Sequence, residues 1–348
     1  MSEIFHVALT GDFHDGAGKP KYADLGLDVF DAHEHIKVRS FGEHRKQIGA
    51  DQLIGANGVI VLTPAVTRES VSSANDLLAI GRFGVGYDAV DVAACTDANV
   101  LVYITAGAVD RSVAEAVVGW MIALTHHVLV KDRLLREGRW DERSRYMGCE
   151  LRGRTFGAVG LGGIAKETIR LLGAFGMNPP IAFDPFVKPE DAAALGVHMV
   201  SLDELMSTAD FVSVHCPLTD ETRGLIGPRE LARMKPHAYL INTARGGIVD
   251  EDALHEALRE NRIAGTALDC FAVEPVTSRS RFADFENVLL APHSIAWTDE
   301  LFRDIGRAAC QGMLDLAQGR VPRGVINREL LERDSFKRKW ERLRVGTS

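Results

Sequence analysis

Residues 155–184 read TFGAVGLGGIAKETIRLLGAFGMNPPIAFD, and in one run they hold a strand, a glycine turn, a helix and a second strand. Phe156, Ala158 and Val159 make a short buried strand. Ile164, Ile169, Leu171, Leu172 and Phe175 give the next segment one apolar helical face, and Ile181, Ala182 and Phe183 make the second strand. Between them lies Gly160-Leu161-Gly162-Gly163-Ile164-Ala165. Gly160 permits a tight turn, and Gly162 lets the backbone approach a pyrophosphate whose charge meets amides at a helix N-terminus. Ala165 stands where such turns usually place a third glycine, and alanine still lets the helix pack close on the strand. Asp184 follows Gly160 by 24 residues, where a carboxylate accepts from the adenosine ribose hydroxyls. It would repel a 2′-phosphate, so the stretch predicts NAD rather than NADP. A glycine turn alone is weak evidence; the strand before it, the helix after it and the acid beyond favour a dinucleotide site.

Upstream, apolar runs at 5–9, 36–38, 59–62, 78–80 and 100–104 alternate with polar or helical segments, which predicts a parallel sheet wrapped by helices. The fourth run leads into Gly81-Arg82-Phe83-Gly84-Val85-Gly86-Tyr87-Asp88. Glycines there leave backbone N–H groups free at a strand's carboxyl end, where α/β proteins bind ligands, so the turn is a candidate carboxylate site. Asp110 reads as the N-cap of a helix continuing to about residue 136. Downstream of the glycine turn, runs at 197–200, 211–215, 238–242, 263–268 and 288–290 alternate with helices and predict a doubly wound sheet carrying the cofactor. A helix over 297–318, stopped by Gly319, is expected to return to the first unit. From Arg328 on, charged residues surround Leu330, Leu331, Phe336, Trp340 and Leu343, which reads as an amphipathic helix packed on its own chain.

The totals bound the function. A chain of 348 residues suits two domains, and a hydrophobic fraction of 46% with 25% charged residues is ordinary for a globular protein. A net charge of −8 leaves no general basic field for nucleic acid or an anionic membrane. Cys95, Cys149, Cys216, Cys270 and Cys310 show no paired spacing, which argues against a metal site or a disulfide framework and suits a reducing cytoplasm. The start of the chain lacks the basic region and apolar core of a signal peptide. Residues 114–130 are the most apolar stretch, but Glu115, His126 and His127 interrupt it, so it reads as a buried helix between domains.

Three polar residues follow three successive apolar runs: Arg245 after 238–242, Glu274 after 263–268 and His293 after 288–290. Parallel strands bring such ends to one edge. Reduction of a 2-oxo acid by a nicotinamide needs a cation to hold the carboxylate and polarise the carbonyl, and an acid to protonate the new oxyanion. Arg245 has the fork of donors for the first task, His293 the imidazole for the second, and Glu274 suits the orienting of His293. Singly, each has a plain reading as a turn cap or a strand end. Their recurrence behind a nucleotide fingerprint is what marks them as catalytic.

The chain resembles the D-isomer-specific 2-hydroxyacid dehydrogenases, the group that includes phosphoglycerate dehydrogenase, glyoxylate/hydroxypyruvate reductase and formate dehydrogenase. GRFGVGYDAVD at 81–91, VAE at 113–115, GLGGIA at 160–165, HCPLTDET at 215–222, INTARGGIVDEDAL at 241–254, ALDCFAVEP at 267–275 and APH at 291–293 carry the likeness, which extends to about residue 327. It implies two doubly wound α/β domains with parallel sheets: a flavodoxin-like substrate domain of 1–106 and 299–348, and a Rossmann NAD-binding domain of 107–298, with a homodimer through the latter. It also implies Arg245, Glu274 and His293 as catalytic, Val85 and Gly86 amides on the substrate carboxylate, and Gly163 and Ile164 at the pyrophosphate, beside the Gly160 and Gly162 already read as cofactor-binding. Asp184 would meet the ribose, with Cys216, Pro217 and Thr222 around the adenosine and Thr243, Ala244, Asp269, His293 and Ser294 toward the nicotinamide.

The chain departs from that pattern in places. Gly163 stands where members often carry a basic residue, and Ser294-Ile295-Ala296-Trp297-Thr298 replaces a glycine-rich run, so Trp297 would shape the pocket. Arg82 adds a cation near the substrate, beside the candidate carboxylate turn, and points to a second anionic group on that substrate. The expected activity is NAD-dependent interconversion of a small D-2-hydroxy acid and its 2-oxo acid, of glyoxylate or hydroxypyruvate type. The alternatives are a phosphorylated or sugar-derived acid such as 3-phosphoglycerate, and an NAD-sensing corepressor that binds without turnover.

Overall fold

The structure is a computed structural model and describes residues 4–345. Two compact units divide the chain, Met1–Val109 with Trp297–Ser348, and Asp110–Ala296.

In the first unit, β1 (Phe5–Leu9), β2 (Ile36–Ser40), β3 (Gly58–Val61), β4 (Ala79–Arg82) and β5 (Leu101–Ile104) pair in parallel in the order β2-β1-β3-β4-β5. That is the flavodoxin-like order. Every residue of β3 is buried, as expected of a strand with both faces covered. The helix Asp299–Ala317 lies across this sheet, and Tyr103 fixes it there: the phenol is fully buried and donates to the Ala309 carbonyl at 2.6 Å. A Cβ on Gly81 or on Gly312 would overlap the Tyr103 ring, so glycine on each side of the ring admits it. The helix starts two residues later than the sequence suggests, because the Thr298 hydroxyl caps it by accepting from the Leu301 N–H at 3.1 Å. The tail forms a helix, Asp334–Leu343, on the same unit. Phe336 is wholly buried, Trp340 Nε1 donates to the Leu316 carbonyl at 2.7 Å, and the Lys339 ammonium donates to the Asn99 carbonyl at 3.0 Å.

In the second unit, β6 (Phe156–Val159), β7 (Ile181–Phe183), β8 (His198–Met199), β9 (Phe211–Val214), β10 (Tyr239–Asn242), β11 (Gly265–Leu268) and β12 (Val288–Leu290) are all parallel, ordered β12-β11-β10-β9-β6-β7-β8. The order reverses between β6 and β9, which opens a crevice at their carboxyl ends. Alternation along the strands fills both faces. Phe156, Phe211 and Ile241 pack with Val117, Trp120 and Met121, while Val212, Val214 and Leu240 pack with Leu205, Leu254 and Leu258.

The single helix expected from Asp110 to residue 136 is instead two, Asp110–Thr125 and Val128–Arg136, bent by 60°. Thr125 explains the break. Its hydroxyl turns back onto the Met121 carbonyl at 2.8 Å, and its own carbonyl is taken by the Cys149 N–H at 3.0 Å rather than by the next turn. His127 then reverses the chain at a φ of 54°. No single helix is long and apolar enough to cross a membrane among the described residues.

Candidate active site and cofactor site

Arg245, Glu274 and His293 lie on the loops that leave β10, β11 and β12. Those strands are adjacent and parallel, so the three loops share one edge of the second sheet. His293 Nδ1 is 2.8 Å from Glu274 Oε2, and Oε1 of the same carboxylate accepts from the Phe271 N–H at 2.8 Å. Burial alone would raise Glu274. The bonds from His293 and Phe271, with the positive charge of Arg245, outweigh it and hold the carboxyl below its ordinary value.

Each loop has its own brace. The buried Asn242 side chain accepts from the Ala244 N–H at 3.0 Å and donates to the Arg245 carbonyl at 2.9 Å, which frames the turn carrying Arg245. The guanidinium also donates to the Ala244 carbonyl at 2.7 Å. A Cβ on Gly246 would overlap the Phe271 carbonyl, so this glycine lets two of the loops touch. Glu251 holds the β11 loop through the Ala272 N–H at 2.5 Å. Asp269 Oδ1 accepts from the Ser294 and Ile295 N–H groups at 2.8 and 3.1 Å. Those bonds fix the chain just past His293, whose φ of 53° is left-handed and costs a non-glycine residue about 1–2 kcal/mol. Burial raises Asp269, and its two N–H bonds offset this only in part. Cys270, Glu274 and His293 bring their ligand atoms within 4.8 Å of one another, but two of the three are the hydrogen-bonded acid and imidazole.

At the glycine turn, Gly160 has a φ of 94°, and a Cβ there would stand 2.8 Å from the Cys216 nitrogen, so the β6 loop meets the β9 loop at that point. Asp184 accepts from the Leu161 N–H at 2.8 Å and from the Phe186 N–H at 2.9 Å, tying the acid to the turn. A Cβ on Gly162 would meet nothing within 4 Å, and the helix Gly163–Leu172 has no side-chain cap at its start. An open face above uncapped helix amides is what a pyrophosphate requires. The Asp110 carboxylate lies against Gly163, where any Cβ would overlap it. Burial, and then the charge of Glu167, raise Asp110. Asp110 is itself the first residue of its helix.

Thr222 donates to the Pro217 carbonyl at 2.6 Å and accepts from the Thr219 N–H at 2.7 Å, closing the loop that starts at Cys216. Burial pushes the Cys216 thiol up to about 11. His215 ends the apolar run 211–215, and nothing in that local pattern marks it as functional. Both of its ring nitrogens are buried without a partner among the described residues, as is Thr243 Oγ1, and burial pushes the imidazole down to about 4. These orphaned polar atoms beside the glycine turn fit a dinucleotide across the carboxyl edge.

The candidate carboxylate turn belongs to the first unit. Gly84, at a φ of 132°, exchanges two bonds with Thr105, its N–H to Oγ1 at 3.1 Å and its carbonyl from the Thr105 N–H at 3.1 Å. The N–H groups of Val85 and Gly86 have no acceptor among the described residues. Arg82 donates to the carbonyls of Val61 and Phe83, so its guanidinium is tied to the end of β3 and to its own loop.

Residues 118–294 match the family model of the D-isomer specific 2-hydroxyacid dehydrogenase, NAD binding domain. The chain belongs to that family. Among similar proteins, D-3-phosphoglycerate dehydrogenase of Archaeoglobus fulgidus is 37% identical over 271 residues, 78% of this chain and 51% of that protein. Glyoxylate reductase of Thermofilum pendens is 36% identical over 277 residues, 78% of this chain and 81% of that protein. The crystal structure of the PH0520 protein from Pyrococcus horikoshii OT3 superposes with a TM-score of 0.80 at 26% identity, over 99% of this chain and all of that one. This 2-hydroxyacid dehydrogenase family member spans about half the length of the phosphoglycerate dehydrogenases it matches.

Proposed function

We propose that the chain is an NAD-dependent oxidoreductase that interconverts a D-2-hydroxy acid and its 2-oxo acid. The imidazole of His293, held 2.8 Å from Glu274 beside Arg245, carries this reading. Arg245 would hold the substrate carboxylate and polarise the carbonyl with its planar fork. His293 would give its proton to the oxyanion formed in reduction and take it back in oxidation, while Glu274 holds the ring in place. Bound NADH supplies the hydride. Uncapped amides at Gly162, Gly163 and Ile164 would hold its pyrophosphate, with Asp184 at the ribose and Cys216, Pro217 and Thr222 at the adenosine. Thr243, Ala244, Asp269 and Ser294 would lie toward the nicotinamide, and the unpaired amides of Val85 and Gly86 would take the substrate carboxylate. Oxidation of NADH by glyoxylate, hydroxypyruvate and bulkier 2-oxo acids tests the reading. Failure of every 2-oxo acid, with NADH still bound, would refute it and favour a binding protein.

A homodimer through the second unit forms part of the proposal. Leu135, Trp140 and Met147 are each more than half exposed on the segment after the helix break, an apolar surface of the kind that subunits cover. Sedimentation should show a dimer that Trp140→Glu splits. A monomeric parent protein at micromolar concentration would contradict it.

A further inference from the structure

Phe83, one residue before the Gly84-Val85-Gly86 turn, is buried against Phe13 at a ring distance of 4.9 Å and stacked toward Phe302 at 6.4 Å. Phe302 stacks on Tyr22 at 4.0 Å and takes the edge of Trp297 at 5.3 Å. A continuous aromatic wall therefore runs from the turn with unpaired amides out to Trp297, which remains 57% exposed. The polar surroundings disfavour a second anion. Asp12 is buried next to Phe13, with Oδ2 accepting from the Thr63 N–H at 2.9 Å and Oδ1 lacking a partner among the described residues. Of the cations next in sequence to the wall, Arg82 is engaged by the Val61 and Phe83 carbonyls, Arg303 donates to Asp304 at 2.8 Å, and Lys21 is exposed. Burial, and then the charge of Asp12, raise the Tyr22 phenol, so a phosphate set against this wall would meet that negative charge. A flat apolar group would lose water to rings that pack edge or face against it.

We propose that the first unit selects 2-oxo and D-2-hydroxy acids bearing an aromatic substituent, with the carboxylate on the Val85 and Gly86 amides and the ring against Tyr22 and Trp297. This rests on the oxidoreductase reading above and narrows its substrate class, away from the phosphorylated acids in the names of several relatives.

The test compares kcat/KM for phenylpyruvate, glyoxylate and 3-phosphohydroxypyruvate in the parent protein and in Trp297→Ala. Binding of D-phenyllactate to the NADH-loaded protein is followed in parallel by calorimetry. Phenylpyruvate should exceed 3-phosphohydroxypyruvate by about tenfold or more, and Trp297→Ala should narrow the phenylpyruvate to glyoxylate ratio about tenfold, the size of effect one lost apolar contact produces. Because Trp297 is exposed, its removal opens no core cavity. A preference for the phosphorylated acid, or an unchanged ratio in the variant, overturns the proposal while leaving the oxidoreductase reading intact. If no 2-oxo acid turns over but D-phenyllactate binds the parent and not the variant, the aromatic site stands and the oxidoreductase reading falls. Absence of both turnover and binding overturns the proposal.

Discussion

At the scale of single residues, His293→Ala and Arg245→Ala should each lower kcat/KM by about 10²–10⁴. Steady-state kinetics checks this, and a loss of only a few-fold in either would remove that residue from the chemistry. Asp184→Ala should erode the preference for NAD over NADP, read as the ratio of the two dissociation constants. It should also loosen the glycine turn, since the same carboxylate accepts from Leu161. The three polar strand ends were legible because parallel strands dictate where the loops emerge. Their braces were not. Asn242, Glu251 and Asp269 act through backbone groups, and nothing in local sequence says which N–H a carboxylate will meet across 21 to 26 residues. The Asp110 carboxylate against Gly163 was equally hidden, because the two positions are 53 residues apart and touch only after the helices pack.

At the scale of elements, the helix Asp299–Ala317 shows how packing overrides propensity. Glycine to alanine inside a helix ordinarily stabilises by about 1 kcal/mol. At Gly312 the new methyl would overlap the Tyr103 ring, so Gly312→Ala should instead destabilise by about 1–3 kcal/mol, measured as a fall in the denaturant midpoint at constant slope. A stabilised variant would show that the ring can move aside. Strand positions were readable from apolar runs, and the returning helix from its long amphipathic pattern. The break at residues 126 and 127 was not, because the apolar stripe continues across it while the cause is a carbonyl captured by Cys149 from 24 residues away.

At the scale of the molecule, acid should act through His215. Its folded proton affinity lies at about 4 against an ordinary 6.5, so the unfolded chain binds the extra proton between those values. The stability linked to this group is fully present above pH 6.5 and lost as pH falls toward 4, by about 3 kcal/mol. Unfolding free energies across that window, compared with His215→Gln, should show a shallower slope in the variant. Equal slopes would assign the acid sensitivity elsewhere. The two-unit layout has another result, which concerns the order in which the ribosome delivers the chain. The second unit is one uninterrupted segment, whereas the first is closed only when the helix carrying Gly312 reaches Tyr103. During translation the second unit can therefore complete its core while the first still waits for residues 297 onward. Until those residues emerge, the aromatic side chain at position 103 has no helix to cover it, and the apolar face around it stays open to other nascent chains.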